Sequence, residues 1–347
     1  MELNRIVRKN ILALEPYSSA RGEFEGSASI YLDANESPFN NPYNRYPDPL
    51  QRELKKRISE LKDVAEENIF LGVGSDECID LAFRVFCEPR ENNVVAIAPT
   101  YGMYKVCADI NDVEYRPVML DDGFELDIER LLATADEKTK VIWICSPNNP
   151  TGNAFDRLKL VDLCSRFSGI VVVDEAYVDF SDKGSMLDYL RQMPNLIVLQ
   201  TFSKAMASAS VRLGMAYACK EVVDLYNKVK YPYNINMLTQ RYALSLLSKE
   251  EKIKSDAKLL VANRESLSVE LAGLKCVNKV FPSDANFLLV HVDDADGLYE
   301  YLLAEGVVVR NRNRVSGCEG CLRFTVGTKA ENDMLINGLK KYENLRY

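Results

Sequence analysis

The strongest constraint on the fold is an alternating pattern that runs from about residue 68 to residue 218. Short apolar runs rich in β-branched residues alternate there with stretches of helical periodicity. The apolar runs are NIFLGV, NNVVAIA, EYRPVML, KVIWIC, GIVVVDEA, NLIVLQTF and GMAYAC. They are apolar on both faces, as buried parallel strands are, and their spacing fits βα units. The pattern therefore predicts an α/β fold with an open sheet and helices on both sides.

The pattern changes after about residue 235. A long helical stretch rich in charged residues is predicted from Asn236 through Leu271, and shorter strand-like and helix-like segments that follow it indicate an α+β domain. We therefore predict an N-terminal arm at 1–29, a large domain at 30–235 and a small C-terminal domain at 236–347. Because the arm is too short to form a core of its own, we expect it to pack on the rest of the chain or on a partner chain.

Charge and hydropathy exclude two classes of partner. The formal net charge of -8 and a pI near 5.1 repel a nucleic-acid backbone. The chain also lacks a run approaching the ~20 consecutive apolar residues that cross a bilayer. The apolar stretch near the start, ILAL, is too short for a secretory signal, so a cytoplasmic location is expected.

The cysteine and histidine content limits the chemistry. Nine cysteines, an odd number scattered through predicted strands and helices, indicate reduced thiols rather than a disulfide framework. Cys318 and Cys321 form one close pair, for which packing is favoured over a zinc or redox role. The only histidine, His291, lies in a predicted strand, so we expect neither a metal site nor a histidine-based catalyst.

Polar stretches follow five of the predicted strands. They are GSDE, PTYGMY, SPNNPTG, DEAY and TFSK. Ligands in α/β sheets bind beyond the carboxyl ends of strands, where helix N-termini supply unpaired N–H groups. Each stretch alone also has a structural explanation, a turn for SPNNPTG and a helix N-cap for Asp174 in DEAY. GSDE is neither a dinucleotide fingerprint nor a P-loop, which disfavours a nucleotide-dependent dehydrogenase.

Considered together, these stretches supply the groups that one ligand requires. A phosphate requires a helix N-terminus and a cation, which Arg212 supplies, and a pyridinium nitrogen requires a buried carboxylate, which Asp174 supplies. A carbonyl carbon requires an amine of lowered pKa, for which Lys204 is suited. Partners for the aromatic ring and its phenolate oxygen are Tyr101, Asn149 and Tyr177. The ligand described in this way is pyridoxal 5'-phosphate.

Motif order adds a family resemblance. NNPTG, DEAY and SKxxxxxxxR, in this order, resemble the fold-type I pyridoxal-phosphate-dependent aminotransferases. Further stretches, LDANESP, YNRYP, PTYGMY, CSPNNPTG, VVVDEAY and CLRFTVGT, resemble the histidinol-phosphate aminotransferases closely, and the match runs from about residue 30 to residue 330. The resemblance implies a large domain with a mostly parallel seven-stranded sheet and a smaller α+β C-terminal domain. The implied activity is transamination between L-histidinol phosphate and 2-oxoglutarate in histidine biosynthesis, giving imidazole acetol phosphate and glutamate.

The resemblance also implies roles for individual residues. Lys204 holds the cofactor as an aldimine and moves the proton between substrate and cofactor, Asp174 pairs with the pyridine nitrogen, and Tyr177 bonds the phenolic oxygen. The implied cofactor-binding residues are Ser75, Asp76, Tyr101, Asn149, Asp174, Tyr177, Thr201, Ser203, Lys204 and Arg212, with Tyr46 reaching in from the partner subunit. The implied substrate-binding residues are Tyr17, Asn35, Arg310 and Arg323. The active unit is then a homodimer with shared active sites.

One position departs from the family pattern. The family usually has a glycine two residues before its phosphate-binding arginine, and this chain has Ser210 there. A serine is strained if that position requires a positive φ. Three other activities remain as alternatives: an aromatic aminotransferase of relaxed specificity, a threonine-phosphate decarboxylase, and a non-catalytic cofactor-binding protein.

Overall fold

A seven-stranded sheet forms the centre of the larger part of the molecule. The computed structural model describes residues 3–19, 26 and 28–346. The strands are β1 (Ile69–Val73), β2 (Asn93–Ala98), β3 (Glu114–Met119), β4 (Thr139–Cys145), β5 (Ile170–Asp174), β6 (Leu196–Thr201) and β7 (Leu213–Tyr217). They lie in the order β1-β7-β6-β5-β4-β2-β3. The predicted α/β fold with a mostly parallel seven-stranded sheet is confirmed, because only the pairs that involve β7 are antiparallel.

Helices cover both faces of this sheet. The helices of the described residues are α1 (Leu3–Ile6), α2 (Lys9–Ala13), α3 (Arg52–Lys62), α4 (Gly74–Phe86), α5 (Met103–Ile110), α6 (Ile128–Thr134), α7 (Arg157–Arg166), α8 (Lys220–Val229), α9 (Met237–Leu247), α10 (Glu250–Ala272), α11 (Ala295–Ala304) and α12 (Lys329–Arg346). Helices α3, α6, α7 and α9 contribute to the core on one face. Helices α4, α5 and α8, with α1 and α2, contribute to the core on the other.

Residues of β4 show why the strand sequences are apolar throughout. Ile142 and Ile144 point into one core, whereas Val141 and Trp143 point into the other. Successive side chains of a strand point to opposite faces, so a sheet covered on both sides needs apolar residues at every position. The fully buried Trp143 indole stacks on Tyr104 at 4.9 Å between ring centroids. Burial of such rings supplies much of the hydrophobic stabilisation of this layer.

Strand β7 departs from the predicted parallel βα pattern. Residues 202–212, between β6 and β7, contain only a short 3-10 turn at Ala209–Val211. A parallel connection needs a crossover of a dozen or more residues, usually a helix. The chain therefore turns back, and β7 inserts antiparallel between β6 and β1. The edge strand β3 also departs from the prediction, since it exposes Glu114 and Pro117.

A second, four-stranded antiparallel sheet forms the smaller part. It contains β8 (Val277–Val280), β9 (Phe287–Val292), β10 (Arg310–Asn311) and β11 (Cys321–Thr325), in the order β10-β11-β9-β8. It packs with α10, α11 and α12 around a core of its own. The stretch from Asn236 to Leu271 is helical as predicted, and the chain forms two helices there, α9 and α10. The Asn236 side chain caps α9 by accepting a hydrogen bond from the Thr239 N–H at 2.8 Å.

The described part of the N-terminal arm packs on the large sheet's helical layer. Ile6, Val7 and Ile11 are buried in the same core as α4 and α8. The Arg8 N–H donates to the Val85 carbonyl at 3.0 Å, which fixes the arm on the end of α4. No helix of the described residues combines the length and the apolar character that a membrane span needs.

Glu175 is a buried carboxyl beside the end of β5, and we predict that it makes stability depend on pH. Its Oε2 accepts from Ser185 Oγ at 2.5 Å and from Gln200 Nε2 at 3.1 Å, and its Oε1 accepts from the Met186 N–H at 2.6 Å. Burial raises the pKa of Glu175 from 4.5 to about 7. The unfolded chain therefore loses this proton at lower pH than the folded protein does, and stability falls as pH rises from about 4.5 to 7.

The measurement is urea unfolding of the protein and of Glu175→Gln at pH 5.5 and at pH 8. The stability of the protein relative to the variant is expected to fall by about 2 kcal/mol over this range, because glutamine does not titrate. If the difference in free energy of unfolding between the protein and Glu175→Gln were equal at the two pH values, Glu175 would titrate normally in the folded state.

Candidate active site

A cavity of about 820 Å³ lies at the carboxyl ends of the parallel strands, against β10 and β11 of the small sheet. Twelve of the predicted site residues line it, and they come from both parts of the molecule. These residues are Ser75, Asp76, Tyr101, Asn149, Asp174, Tyr177, Thr201, Ser203, Lys204, Arg212, Arg310 and Arg323. The convergence follows from the fold, because parallel strands present their carboxyl ends at one edge of the sheet.

Asp174 ends β5 and is 2 % exposed. Its Oδ2 accepts a hydrogen bond from the Tyr104 hydroxyl at 2.7 Å, and its Oδ1 accepts from the Ala176 N–H at 3.1 Å. The second bond is the N-cap-like contact that its sequence position suggested. Burial raises the pKa of Asp174 to about 6, while the two hydrogen bonds favour the carboxylate. Each oxygen keeps capacity for a further donor on the cavity side.

Lys204 follows β6 in a loop and reaches the same cavity. Burial lowers the pKa of the Lys204 amine, and the positive charge of Arg323 lowers it further. The amine lies 5.4 Å from the centre of the Tyr177 ring. A neutral amine is a nucleophile, whereas an ammonium is not, so this surrounding prepares Lys204 to attack a carbonyl carbon.

The N-terminus of α4 and Arg212 form one end of the cavity. Gly74 begins α4 with a φ of +72°, and a Cβ there would lie 2.6 Å from Nη2 of Arg212. Arg212 donates to Asp76 Oδ2 at 3.0 Å, and Tyr101 donates to Asp76 Oδ1 at 3.0 Å. Unpaired N–H groups of a helix N-terminus beside a guanidinium are suited to bind a phosphate group.

The two adjacent asparagines have different partners. Asn148 is fully buried within its own loop, where Nδ2 donates to the Pro99 carbonyl at 2.9 Å and Oδ1 accepts from Thr100 at 2.8 Å. Asn149 instead lines the cavity, and its Oδ1 accepts a hydrogen bond from Nη1 of Arg323. Its Nδ2 amide therefore remains a donor for a ligand oxygen, beside Tyr177.

The small sheet contributes a wall of arginines. Arg323 lies on β11 directly opposite Arg310 on β10, and Arg312 follows two residues after Arg310. The guanidinium of Arg323 stacks over the Phe287 ring with Cζ 5.0 Å from its centre. Burial lowers the pKa of Arg312 to about 10, and the charges of Arg323 and Arg310 add to this effect. The wall offers an anionic ligand several guanidinium groups.

Ser210 does not have the positive φ that would strain a serine at this position. It lies in the 3-10 turn Ala209–Val211 and has no positive φ, whereas Arg212 itself has a φ of +54°. The Arg212 carbonyl accepts from the Gly74 N–H at 2.9 Å. Arg212, the residue of this loop in the left-handed conformation, is therefore held by its backbone hydrogen bond to Gly74. Serine at position 210 is accommodated without strain.

Three predicted site residues do not line the cavity of this chain. Tyr17 is 76 % exposed and lies in a smaller depression with Lys230 and Pro49. Asn35 is exposed, and half-exposed Tyr46 stacks on Tyr233 at 4.4 Å between ring centroids. Tyr46 is predicted to act in the site of a partner subunit, and this role stays a prediction. The roles of Tyr17 and Asn35 stay predictions.

Sequence reasoning missed two residues of the site. Tyr104 holds Asp174, and it lies three residues after Tyr101 at the start of α5, with the two rings 5.7 Å apart. That spacing was the available signal. Arg312 lines the cavity, and its period-two relation to Arg310 was the corresponding signal in a strand.

The cysteines and the histidine lie outside the chemistry described above, apart from Cys145 at the cavity. All nine cysteines are free, and Cys318 and Cys321 pack with Phe124. Burial raises the pKa of the Cys318 thiol to about 12 and that of Cys321 to about 11, which makes both poor nucleophiles. No group of three or more metal-ligating side chains was found among the described residues.

The chain is similar to known proteins over nearly its whole length. The sequence profile of the family described as aminotransferase class I and II matches residues 29–339. The histidinol-phosphate aminotransferase of Bacteroides fragilis is 56 % identical over 342 residues, which is 98 % of this chain and 99 % of the relative.

Two solved structures show the same fold. The histidinol-phosphate aminotransferase from Clostridium acetobutylicum superposes with a TM-score of 0.81 at 24 % identity, covering 87 % of this chain and 92 % of the other. The enzyme of the same name from Sinorhizobium meliloti, determined in complex with pyridoxal-5'-phosphate, gives a TM-score of 0.80 at 21 % identity and covers 90 % of each chain.

Proposed function

The chain belongs to the class I and II aminotransferase family, and from this premise we propose that it transfers an amino group between L-histidinol phosphate and 2-oxoglutarate in histidine biosynthesis. The observation that carries the proposal is the convergence of Lys204, Asp174 and Arg212 on one cavity that also has an arginine wall. The amine, the carboxylate and the cation are the groups that the cofactor requires. The arginine wall supplies the charge that a phosphorylated substrate requires.

The residues of the cavity fit pyridoxal 5'-phosphate. Gly74 packs directly against Arg212. The backbone N–H groups at the start of α4 and the Arg212 guanidinium are therefore available to bind the phosphate. The buried carboxylate of Asp174 would pair with a protonated ring nitrogen, whose positive charge would compensate the buried negative charge. When bound, the cofactor supplies an electrophilic carbon and an electron sink for the substrate's α-carbon.

Other side chains hold the ring and the phosphate in place. Tyr101 would cover the ring face, and the Asn149 amide and Tyr177 hydroxyl would donate to the phenolic oxygen. Thr201 and Ser203 would also contact the phosphate. Ser203 Oγ accepts a hydrogen bond from the Thr201 hydroxyl at 3.0 Å. Ser75 and Asp76 contribute mainly their N–H groups at the start of α4.

Lys204 also carries the proton of the reaction. Its lowered pKa allows its Nζ to accept a proton from the substrate's α-carbon and to return it to a neighbouring atom. The chain therefore needs no histidine at the site, and its only histidine lies on β9.

Arg323 and Arg310 are proposed to bind the anionic groups of the substrates, with Tyr17 and Asn35 closing the site. Arg323 is oriented by Asn149 and Phe287, so it faces the reacting end of the cavity. Planar guanidinium groups bind phosphate and carboxylate with paired hydrogen bonds, so one wall accepts both substrates in turn.

Turnover of a substrate panel tests this function. The holoenzyme is expected to transaminate histidinol phosphate with a kcat/KM far above the values for phenylalanine and tyrosine. Equal values would replace the proposal with a broad aromatic aminotransferase. Release of carbon dioxide from threonine phosphate, without amino transfer, would point to a decarboxylase of the same fold.

The assembly and the location are also proposals. Tyr46 is half-exposed and is proposed to reach the cofactor phosphate of a second copy, so that the active unit is a homodimer. We also propose that the protein is located in the cytoplasm. Sedimentation equilibrium would then give twice the chain mass of 39.2 kDa, whereas the mass of one chain would contradict it.

The proposed domain division differs slightly from the sequence prediction. Residues 1–29 form the arm, and the large domain begins near residue 30. Because Ala243 and Leu247 of α9 are buried in the large sheet's core, we place the start of the small domain at α10 rather than at residue 236. Limited proteolysis between α9 and α10 tests this division, and cleavage confined to other loops would contradict it.

A further inference from the structure

The arginine wall is built by one β-hairpin. In the β10–β11 pair Arg310 lies directly opposite Arg323, and Arg312 follows Arg310 by two residues. Side chains directly opposite each other, and side chains two residues apart, project from the same face of a sheet. The main-chain pairing continues to Arg312, whose N–H donates to the Cys321 carbonyl at 2.9 Å. Three guanidinium groups therefore project from one face into the cavity.

None of these three charges is compensated by the described residues. No carboxylate of the described part of the chain forms an ion pair with Arg310, Arg312 or Arg323, whereas Arg212 is paired with Asp76. Like charges directly opposite each other destabilise a sheet. An uncompensated positive cluster at the wall of a cavity is stabilised when a ligand supplies the negative charge.

Arg312 is the half-buried member of the cluster whose side chain makes no hydrogen bond or ion pair with the described residues, since Arg310, which also makes none, is exposed. Arg323 already donates to Asn149, and Arg310 is exposed at the mouth. Arg312 is half-buried, and its Nε, like that of Arg323, is shielded from solvent with no hydrogen-bond partner among the described residues. An unsatisfied buried donor costs free energy, which an anion bound at Arg312 offsets.

We propose that Arg312 is a specificity residue that selects substrates carrying two negative charges over those carrying one. This inference rests on the proposed function and names the charge class that the site accepts. Arg323 binds the anionic group nearer the reacting carbon, and Arg312 binds the second charge. That second charge is the second oxyanion of a phosphate monoester in one half-reaction and the distal carboxylate of a dicarboxylate in the other.

The test compares glutamate with glutamine, which has nearly the same shape but lacks the distal charge. Single-turnover amino transfer to the holoenzyme gives kcat/KM for each donor in the protein and in Arg312→Gln, Arg312→Lys and Arg314→Gln. Arg314 is an exposed arginine two residues further along that does not line the cavity, so it is a matched charge control.

We expect Arg312→Gln to lower the ratio of kcat/KM for glutamate to kcat/KM for glutamine about 10- to 100-fold, because a hydrogen-bonded charge pair is lost. Arg312→Lys keeps part of the selectivity, and Arg314→Gln keeps all of it. An unchanged ratio in Arg312→Gln, or equal losses with both donors, overturns the inference. The two failures can be told apart. If the protein does not use histidinol phosphate, but Arg312→Gln still lowers the ratio of kcat/KM for glutamate to kcat/KM for glutamine, the proposed function is overturned and the inference is supported.

Discussion

Replacement of Lys204 by alanine is expected to lower amino transfer by at least ~10⁴-fold, because one amine serves as both the anchor of the cofactor and the proton carrier. The purified variant should lack the absorbance band of cofactor bound covalently to protein. The expected loss exceeds that of any other single substitution at the site. Burial and the Arg323 charge prepare this amine and no cavity-lining lysine besides it was found among the described residues.

Lys55 provides the control for the Lys204 variant. It is 7 % exposed, and burial together with the charge of Lys230 lowers its pKa to about 8, yet it does not line the cavity. Lys55→Met should therefore keep the absorbance band. Addition of methylamine to Lys204→Ala should restore part of the activity, since a small amine fits the cavity of about 820 Å³. Full activity of Lys204→Ala without added amine would refute the assignment.

Replacement of Asp174 by asparagine should lower kcat about 10²- to 10³-fold while the cofactor remains covalently bound. Asparagine keeps the size and one hydrogen-bond acceptor, but it cannot carry the negative charge that keeps the ring nitrogen protonated. Glu175→Gln is the matched control, because the Glu175 carboxyl is equally buried and bonds only to Ser185, Met186 and Gln200. Its kcat should stay near that of the protein.

The pH dependence of cofactor binding separates charge from shape at Asp174. Because burial raises the pKa of Asp174 to about 6 before a ligand is bound, the carboxylate is lost as pH falls through 6. Affinity of the cofactor-free protein for pyridoxal phosphate should therefore be weaker at pH 5 than at pH 8. In Asp174→Asn this part of the pH dependence should be absent, and an identical profile in both proteins would contradict the role of the charge.

The local features of this fold could be predicted because they depend on short stretches of sequence. The runs around Val141 and Val171 are apolar at every position, which only a doubly covered strand requires. Asp174 ends one such strand and Lys204 lies three residues after another, so their convergence at one edge of the sheet followed from the predicted topology. The family resemblance then assigned the individual roles.

Features that depend on tertiary contacts were not predictable in the same way. The direction of β7 depends on how the 202–212 loop packs, and the break between α9 and α10 depends on the α9 contacts with the large sheet. The partnership of Tyr104 with Asp174 joins residues 70 positions apart. The left-handed conformation in this loop falls on Arg212, whose carbonyl accepts from the Gly74 N–H, and no local pattern at Ser210 indicates this.

Reduction of the holoenzyme with borohydride, followed by peptide mass spectrometry, tests the central claim most directly. Reduction makes the bond between a lysine and the cofactor permanent, so the modified residue can be located in the sequence. The account predicts one pyridoxyl group for each chain, on Lys204. A label on Lys55, Lys230 or any other lysine, or no label on a protein saturated with pyridoxal phosphate, would contradict it.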